Sequence, residues 1–425
     1  MRYFIRSISL LLLSLCMVLS LAACIPDPPT PTPPGDSSDT SQAELVSLLR
    51  ELSLYGLPED FDPSGKTPLE IVAAMNDPYA AYFTAEEFAS YESDLQGNFV
   101  GIGVSILSII HETLGDVIQV LVAFDGSPAK AAGITAGDIL THVDGVSISE
   151  VGYEAATDLL LGEAGEDVTI TFVREGTSHT VTIARAACVK QTVFHRTYEK
   201  NGHLLGYVRI TDFDAVTTSQ FISAMEDLEG QNVAGVVFDL RFNGGGYLRT
   251  VCEMLAYLLP DGDLCRVDYH SELYPDYRIY AKGNVLYMNG GMYVTDSLGN
   301  SIKASHSLDI PMAVLTNGGT ASAAELFTAT LRDYEQENKL SSVTLVGENT
   351  FGKGCMQSTY KLTNGDYVKL TIALYNPPIG ENYDGTGIAP EVEVKSETTF
   401  PDLYLKPDAQ DAVKDAALDL LLQTN

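Results

Sequence analysis

The sequence predicts a multidomain α/β protein. It should hold a small N-terminal helical segment, an α+β domain closing into a partly open β-barrel, and an α/β core with strands sandwiched by helices. Three observations predict this. The chain has 425 residues, room for two or three domains at roughly 100–200 residues each. Hydrophobic residues make up 45% and charged residues 19%, enough to build cores and too apolar for wholesale disorder. The hydrophobic period also changes twice. It is helical up to about residue 97, strand-like with glycine punctuation to about 187, and then alternates strand with helix.

The start of the chain carries an address. Arg2 and Arg6 form a short basic region, and an apolar run follows from Ile8 to Ala23. That run is shorter than the ~20 residues a bilayer span needs, and it ends in small residues, as an export signal does. Leu21-Ala22-Ala23-Cys24 resembles the bacterial lipobox, which implies removal of residues 1–23 and lipidation of Cys24. An uncleaved anchor and a plain secretory signal stay open as alternatives. Residues 24–41 continue as a Pro/Thr/Ser-rich tether, extended and without a core. Export permits disulfides, but the spacing of Cys252 and Cys265 does not show that they pair. Four buried thiols at Cys188, Cys252, Cys265 and Cys355 are expected.

From Gln42 to about residue 97, Leu45, Leu48, Leu49 and Leu52 fall at helix spacing. A second helix fits Pro68 to Met75, with Thr67 as its cap, and a third fits Ala85 to Tyr91. This segment shows no catalytic signal of its own. Residues 98–187 form the second domain. A Gly-punctuated strand runs Phe99–Ile106, with strands near Val117–Ala123 and Asp138–Val143. Short helices fit Ser127–Gly133 and Glu154–Leu161, and a hairpin turns at Glu175-Gly176. From 188 to 425 strands are expected at Gly206–Ile210, Val233–Leu240, Met312–Thr316, Val343–Val346, Cys355–Tyr360 and Tyr367–Leu374. Helices are expected at Thr217–Leu228, Leu248–Leu259 and Ala323–Tyr334. Residues 260–310 are Tyr- and Gly-rich and suggest an added hairpin.

Three loops could carry chemistry. Asn317 to Glu325 joins a buried strand to a helix, which sets Ser322 beside free helix N–H groups that favour developing negative charge. Ser322-x-x-Glu325 is equally a capping box. Gly347 to Gly354 matches GxxxxGK, but Gly354 stands where a phosphate loop needs Ser or Thr, and no helical stretch follows. A lysine reaching into a cleft fits better, because a lysine shielded from water can act as a neutral base. Asp239 to Gly246 ends in three glycines that allow a turn with N–H groups aimed into a cleft, or only a simple strand-to-helix connection.

Taken in order, GIG, GSPAKAAGITAGDIL and VDG resemble a PDZ domain over 98–187. That resemblance implies a carboxylate-binding loop at Gly101, Ile102 and Gly103, with a strand edge that pairs with a peptide. DLRxNxGG, the Ala-Ser-Ala segment and TFGKGxxQ together resemble the C-terminal processing peptidases, from Asp77-Pro78-Tyr79 to Gly387-Ile388-Ala389-Pro390. The resemblance implies Ser322 as nucleophile, Lys353 as general base and Gln357 orienting the lysine. It also implies an oxyanion hole from the N–H groups of Ala323 and of Gly245 or Gly246. No metal or cofactor is needed. The stretch between Ser322 and Lys353 is longer than the family pattern, with 335–342 as the insertion, and the stretch from Gly246 to Met312 is also long. Protein substrates with accessible C-termini are implied, with membrane attachment through the lipid and homo-oligomer formation left open. A catalytically inactive PDZ-bearing peptide scaffold is the rival reading, and the presence of both Ser322 and Lys353 argues against it.

The formal net charge is -32, which argues against nucleic-acid partners, since a duplex repels such a surface. The 7 His and 6 Cys are scattered, with no CxxC or HExxH, so a zinc site is not expected.

Overall fold

The computed structural model describes residues 39–282, 285–288, 292–294, 310–407 and 409–423. The lipobox, Cys24 and nearly all of the tether lie outside the described residues. Two compact units emerge. One holds Gln96–Gln191 and also Ser396–Asp411, a late segment that rejoins it; the other holds the described residues up to Leu95, Thr192–Lys395 and those from Ala412 onward.

In the first unit a sheet runs in the order Val104–His111, Gly115–Ala123, Ile139–Val143, Asp167–Arg174, Thr177–Ala184. Its inward residues alternate, as a half-buried sheet requires. Ile118, Val120, Leu140, Val143, Ile170 and Phe172 pack against Ala156 and Leu160 of the helix Tyr153–Leu160. Glu175 and Gly176 both take positive φ, the backbone that a two-residue hairpin turn needs. The single strand expected over Phe99–Ile106 is instead two. Asn98–Gly101 pairs with Ala186–Val189, while Val104–His111 pairs with Gly115–Ala123. Gly103 makes the break. Its φ is +77, and a Cβ there would meet Ser127 Cβ at 2.4 Å.

The second unit has two sheets. One orders Val193–Lys200, His203–Ile210, Val236–Asp239, Met312–Thr316, Val343–Gly347 and Val392–Glu393, parallel throughout except for the first pair. Its inner strands are buried on both faces. Val236, Phe238, Val314 and Leu345 meet Phe221, Met225 and Phe327 on one side, and Val237, Ala313, Leu315 and Val346 meet Val413, Ala417 and Leu418 on the other. Such continuous apolar strands are the mark of a helix-covered parallel sheet.

The other sheet is antiparallel and orders Ala81–Phe83, Tyr367–Asn376, Gly262–Tyr269, Tyr277–Lys282, Val285–Met288 and Met292–Val294, with Cys355–Lys361 also on Tyr367–Asn376. The hairpin expected within 260–310 is therefore four strands of a larger sheet, in which Arg266–Tyr269 pair with Ala373–Asn376. The alternation there was weak because Leu264 and Cys265 are buried side by side at an irregularity between Asp263 and Cys265. A strand rather than a helix follows Lys353, so no helix N-terminus is available there to hold a phosphate.

Three adjacent parallel strands, Val236–Asp239, Met312–Thr316 and Val343–Gly347, release the three chemistry-bearing loops at their carboxyl ends. That is where open α/β sheets place their sites.

Candidate active site

The three loops are latched by polar groups buried beneath them. Asn317 Oδ1 accepts the Phe242 N–H at 2.9 Å and the Gly319 N–H at 3.0 Å. Thr320 Oγ1 donates to the Leu240 carbonyl at 2.8 Å, and the Ala321 N–H donates to the Asn243 carbonyl at 2.9 Å. The Phe351 N–H reaches the Thr320 carbonyl at 2.9 Å. Below them Arg241 holds Asp239 through Nε at 2.9 Å and Nη2 at 2.5 Å, and Tyr207 donates to Asp239 at 2.7 Å. Burial alone would raise the Asp239 carboxyl, but the Arg241 charge and hydrogen bonds, with Arg209 and Tyr207, hold it below its ordinary value.

Ser322 opens the helix Ala323–Gln336 with φ +57 and ψ -121. Non-glycine residues avoid this region, at a cost of about 1–3 kcal/mol, and it persists only where surroundings impose it. The imposing contacts are visible. The Ser322 N–H donates to Glu325 Oε2 at 2.9 Å, as in the capping box the sequence allowed. Gly245, at φ +106, lies flat against the serine. A Cβ on it would sit 2.7 Å from Ser322 Cβ and 2.9 Å from the Ala323 nitrogen.

The Lys353 backbone is tied to Ser322 by two side chains that sequence reasoning missed as site residues. The Glu325 carboxylate accepts four hydrogen bonds. Oε2 takes the N–H of Ser322 and that of Lys353 at 2.7 Å, and Oε1 takes Thr350 Oγ1 at 2.5 Å and the Gly352 N–H at 2.7 Å. Burial raises the Glu325 carboxyl, against those four bonds. Tyr375 makes a 3.1 Å hydrogen bond with Ser322 Oγ and donates to the Lys353 carbonyl at 2.8 Å. Burial pushes its phenol well above its ordinary value, so it stays protonated and is no base. The capping-box spacing could have pointed to Glu325; nothing local points to Tyr375.

The Lys353 side chain is 1% exposed, and its amine lies 4.4 Å from the centre of the Tyr79 ring. The N-terminal segment, which shows no catalytic signal of its own in the sequence, therefore lays a ring against the lysine. The Gln357 side-chain nitrogen donates to Thr371 Oγ1 at 3.1 Å and to Cys355 Sγ at 3.5 Å. Burial pushes the Cys355 thiol up to about 12.

Of the expected oxyanion donors, the Gly245 N–H is taken by Asn243 Oδ1 at 2.8 Å. The N–H groups of Ala323 and Gly246 make no hydrogen bond among the described residues. In the other unit, the Ile102 carbonyl accepts from Ala129 and the Gly103 carbonyl from Phe124. Gly101 also forms an antiparallel bridge with Leu161, and Val104–His111 forms an edge of its sheet. Gly101 packs beneath, its carbonyl accepting from Cys188 Sγ. No group of three or more His, Cys, Asp or Glu able to hold a metal occurs among the described residues.

The sequence matches Peptidase family S41 over residues 204–394 and a PDZ domain over residues 120–174. It is 30% identical over 357 residues to a carboxyl-terminal-processing protease of Picosynechococcus, covering 83% of this chain and 78% of that one. A chloroplastic C-terminal processing peptidase of Tetradesmus obliquus is 29% identical over 347 residues, covering 79% and 68%. A solved structure from Bacteroides fragilis assigned to the S41 proteases superposes with TM-score 0.60 at 18% identity, covering 93% of this chain and 99% of that one. These likenesses and the fold define a serine-type peptidase with an attached PDZ domain, acting on protein substrates. The chain belongs to Peptidase family S41, among the carboxyl-terminal processing proteases.

Proposed function

We propose that the chain is an extracytoplasmic serine endopeptidase that uses Ser322, Lys353 and Gln357 to cut exported proteins near their C-termini. One observation carries this reading. A serine in a strained backbone and a buried lysine are tied to the same two side chains, Glu325 and Tyr375. Strain of this kind is kept where it serves chemistry.

Desolvation favours the neutral amine of a lysine. When a substrate carbonyl seats, Ser322 Oγ turns from Tyr375 and gives its proton to the Lys353 amine while attacking the carbon. The oxyanion is met by the N–H groups of Ala323 and Gly246, both without a hydrogen-bond partner among the described residues, while Gly245 supplies the close approach. Collapse expels the amine of the leaving peptide, which takes the proton from Lys353. Water, deprotonated by the same lysine, then cleaves the acyl-serine ester. The Gln357 carbonyl oxygen steadies the ammonium.

The Gly101–Gly103 loop holds the terminal carboxylate of the substrate on its N–H groups, and the domain over 98–187 delivers the tail or gates cleavage. Residues 1–23 act as the signal, lipidated Cys24 and the tether to 41 anchor the body to the outer face of a bacterial membrane, and 188–425 make the catalytic domain. No helix among the described residues is long and apolar enough to cross a membrane.

The test is direct. Ser322→Ala and Lys353→Ala should each abolish cleavage of an unstructured protein while circular dichroism stays unchanged. Full activity in either purified variant defeats the mechanism.

A further inference from the structure

Asp77-Pro78-Tyr79 lies far from the catalytic loops in sequence yet reaches two of the expected site residues. Tyr79 lays its ring against the Lys353 amine. Asp77, buried, reaches Gln357 through a chain of hydrogen bonds. Asp77 Oδ1 accepts the Tyr79 N–H at 2.9 Å and the Thr371 hydroxyl at 3.0 Å, and Oδ2 accepts the Thr371 N–H at 2.9 Å. Thr371 Oγ1 in turn accepts from the Gln357 side-chain nitrogen. Gln357 and Thr371 are cross-strand partners, placed so by an irregularity between Met356 and Gln357. Such bulges re-aim side chains beside active sites.

The chain of bonds has a direction that chemistry imposes. A carboxylate only accepts. The Thr371 hydroxyl therefore spends its one hydrogen on Asp77 and can offer Gln357 only lone pairs. Gln357 must answer with its NH2 end. Its carbonyl oxygen is then turned away from Thr371 and free to accept.

We propose that Asp77 is a positioning residue of the peptidase centre. Through Thr371 it fixes which end of the Gln357 amide faces the Lys353 amine, while Tyr79 from the same segment covers that amine. The proposal rests on the reading of Ser322, Lys353 and Gln357 given above. It adds that the N-terminal segment is part of the catalytic apparatus. An oxygen facing the amine supports the ammonium formed when Ser322 gives up its proton; an NH2 facing it opposes that ammonium. The titratable groups gathered about Tyr79 and Lys353 are Cys355, Asp384, Glu325 and Asp77. Burial holds Cys355 and Tyr79 protonated, so neither supplies a competing charge near neutral pH.

The experiment measures kcat, KM and the pH profile of the full chain on fluorophore-labelled casein. Asp77→Asn lets the chain of bonds reverse, because an amide can donate to Thr371. We expect kcat to fall about tenfold with KM within about twofold, and the acid limb of the profile to move to lower pH. Thr371→Val should behave alike, and Thr371→Ser should recover most of the loss. In a Gln357→Ala background, Asp77→Asn should cost less than about twofold more, since its effect runs through Gln357. Wild-type kcat and profile in Asp77→Asn overturn the proposal, as does a full additional loss in the Gln357→Ala background. If Asp77→Asn does not fold, Thr371→Val alone and with Gln357→Ala decides the same question. Ser322→Ala run alongside separates the two levels. Activity in that variant sinks the underlying mechanism, whereas a dead Ser322→Ala with an unaffected Asp77→Asn sinks only this inference.

Discussion

Replacing Glu325 by Gln changes one atom and tests how the nucleophile and the lysine are held together. In the wild type four donors converge on two acceptor oxygens. Glutamine offers one oxygen and one NH2. If the NH2 takes the Oε2 site, it faces the N–H groups of Ser322 and Lys353 and strands both. If it takes the Oε1 site, the Thr350 hydroxyl can rotate to accept, and only the Gly352 N–H is stranded. The second orientation costs less. A stranded buried N–H costs about 1–3 kcal/mol, and the surviving bonds lose their charge assistance, so a total of about 2–5 kcal/mol follows. At about 2–4 °C per kcal/mol for a body of this size, Tm should fall by about 5–20 °C. The Lys353 backbone is tied through Gly352 to the disturbed side. A misplacement of about 1 Å there should lower kcat about 100-fold. Differential scanning fluorimetry and casein cleavage below the lowered Tm read both effects. A Tm within about 1 °C of wild type, with kcat within about twofold, would refute the clamp.

Other outcomes follow from the same contacts. Gly245→Ala puts a methyl 2.7 Å from Ser322 Cβ at a φ that L residues avoid; kcat should drop about 100-fold or more while the far-ultraviolet circular dichroism stays unchanged. Asp239→Asn breaks a buried ion pair and should cost about 3–5 kcal/mol at neutral pH in urea unfolding. Because the folded Asp239 carboxyl lies below its ordinary 3.8, the wild-type advantage is present above that pH and drains away as pH falls through the folded value. An advantage that grew on acidification would contradict this. Cleavage by the wild type should rise with pH as Lys353 loses its proton, and a flat profile from acid to alkaline would count against a lysine base.

The parts of the site that lie in one loop could be found in the sequence, because a buried apolar strand followed by small residues, glycines and one polar side chain is a local pattern. Ser322, Lys353 and the glycines after Asn243 are of this kind. The order of the fold was legible for the same reason, since helices Thr217–Gly230 and Ala323–Gln336 and strand Met312–Thr316 follow from period alone. The partners that come from elsewhere were not. Tyr375 is the penultimate residue of a largely apolar strand and reads as core, and only the fold shows its hydroxyl turned to Ser322. Asp77 meets Thr371 across most of the chain, a pairing no local spacing encodes. The strand Ala81–Phe83 has only three residues, too few for a period. The availability of the Gly246 N–H rather than that of Gly245 depends on the rotamer of Asn243, again a property of packing.

The central claim is that Ser322 forms the covalent bond. It is tested most directly by acid-quenching the full chain during turnover of an activated peptide ester and mapping the trapped protein by mass spectrometry. An acyl mass on the tryptic peptide that contains Ser322, lost in Ser322→Ala together with cleavage, is the predicted result. Continued cleavage by Ser322→Ala, or an acyl group on another residue, would contradict it.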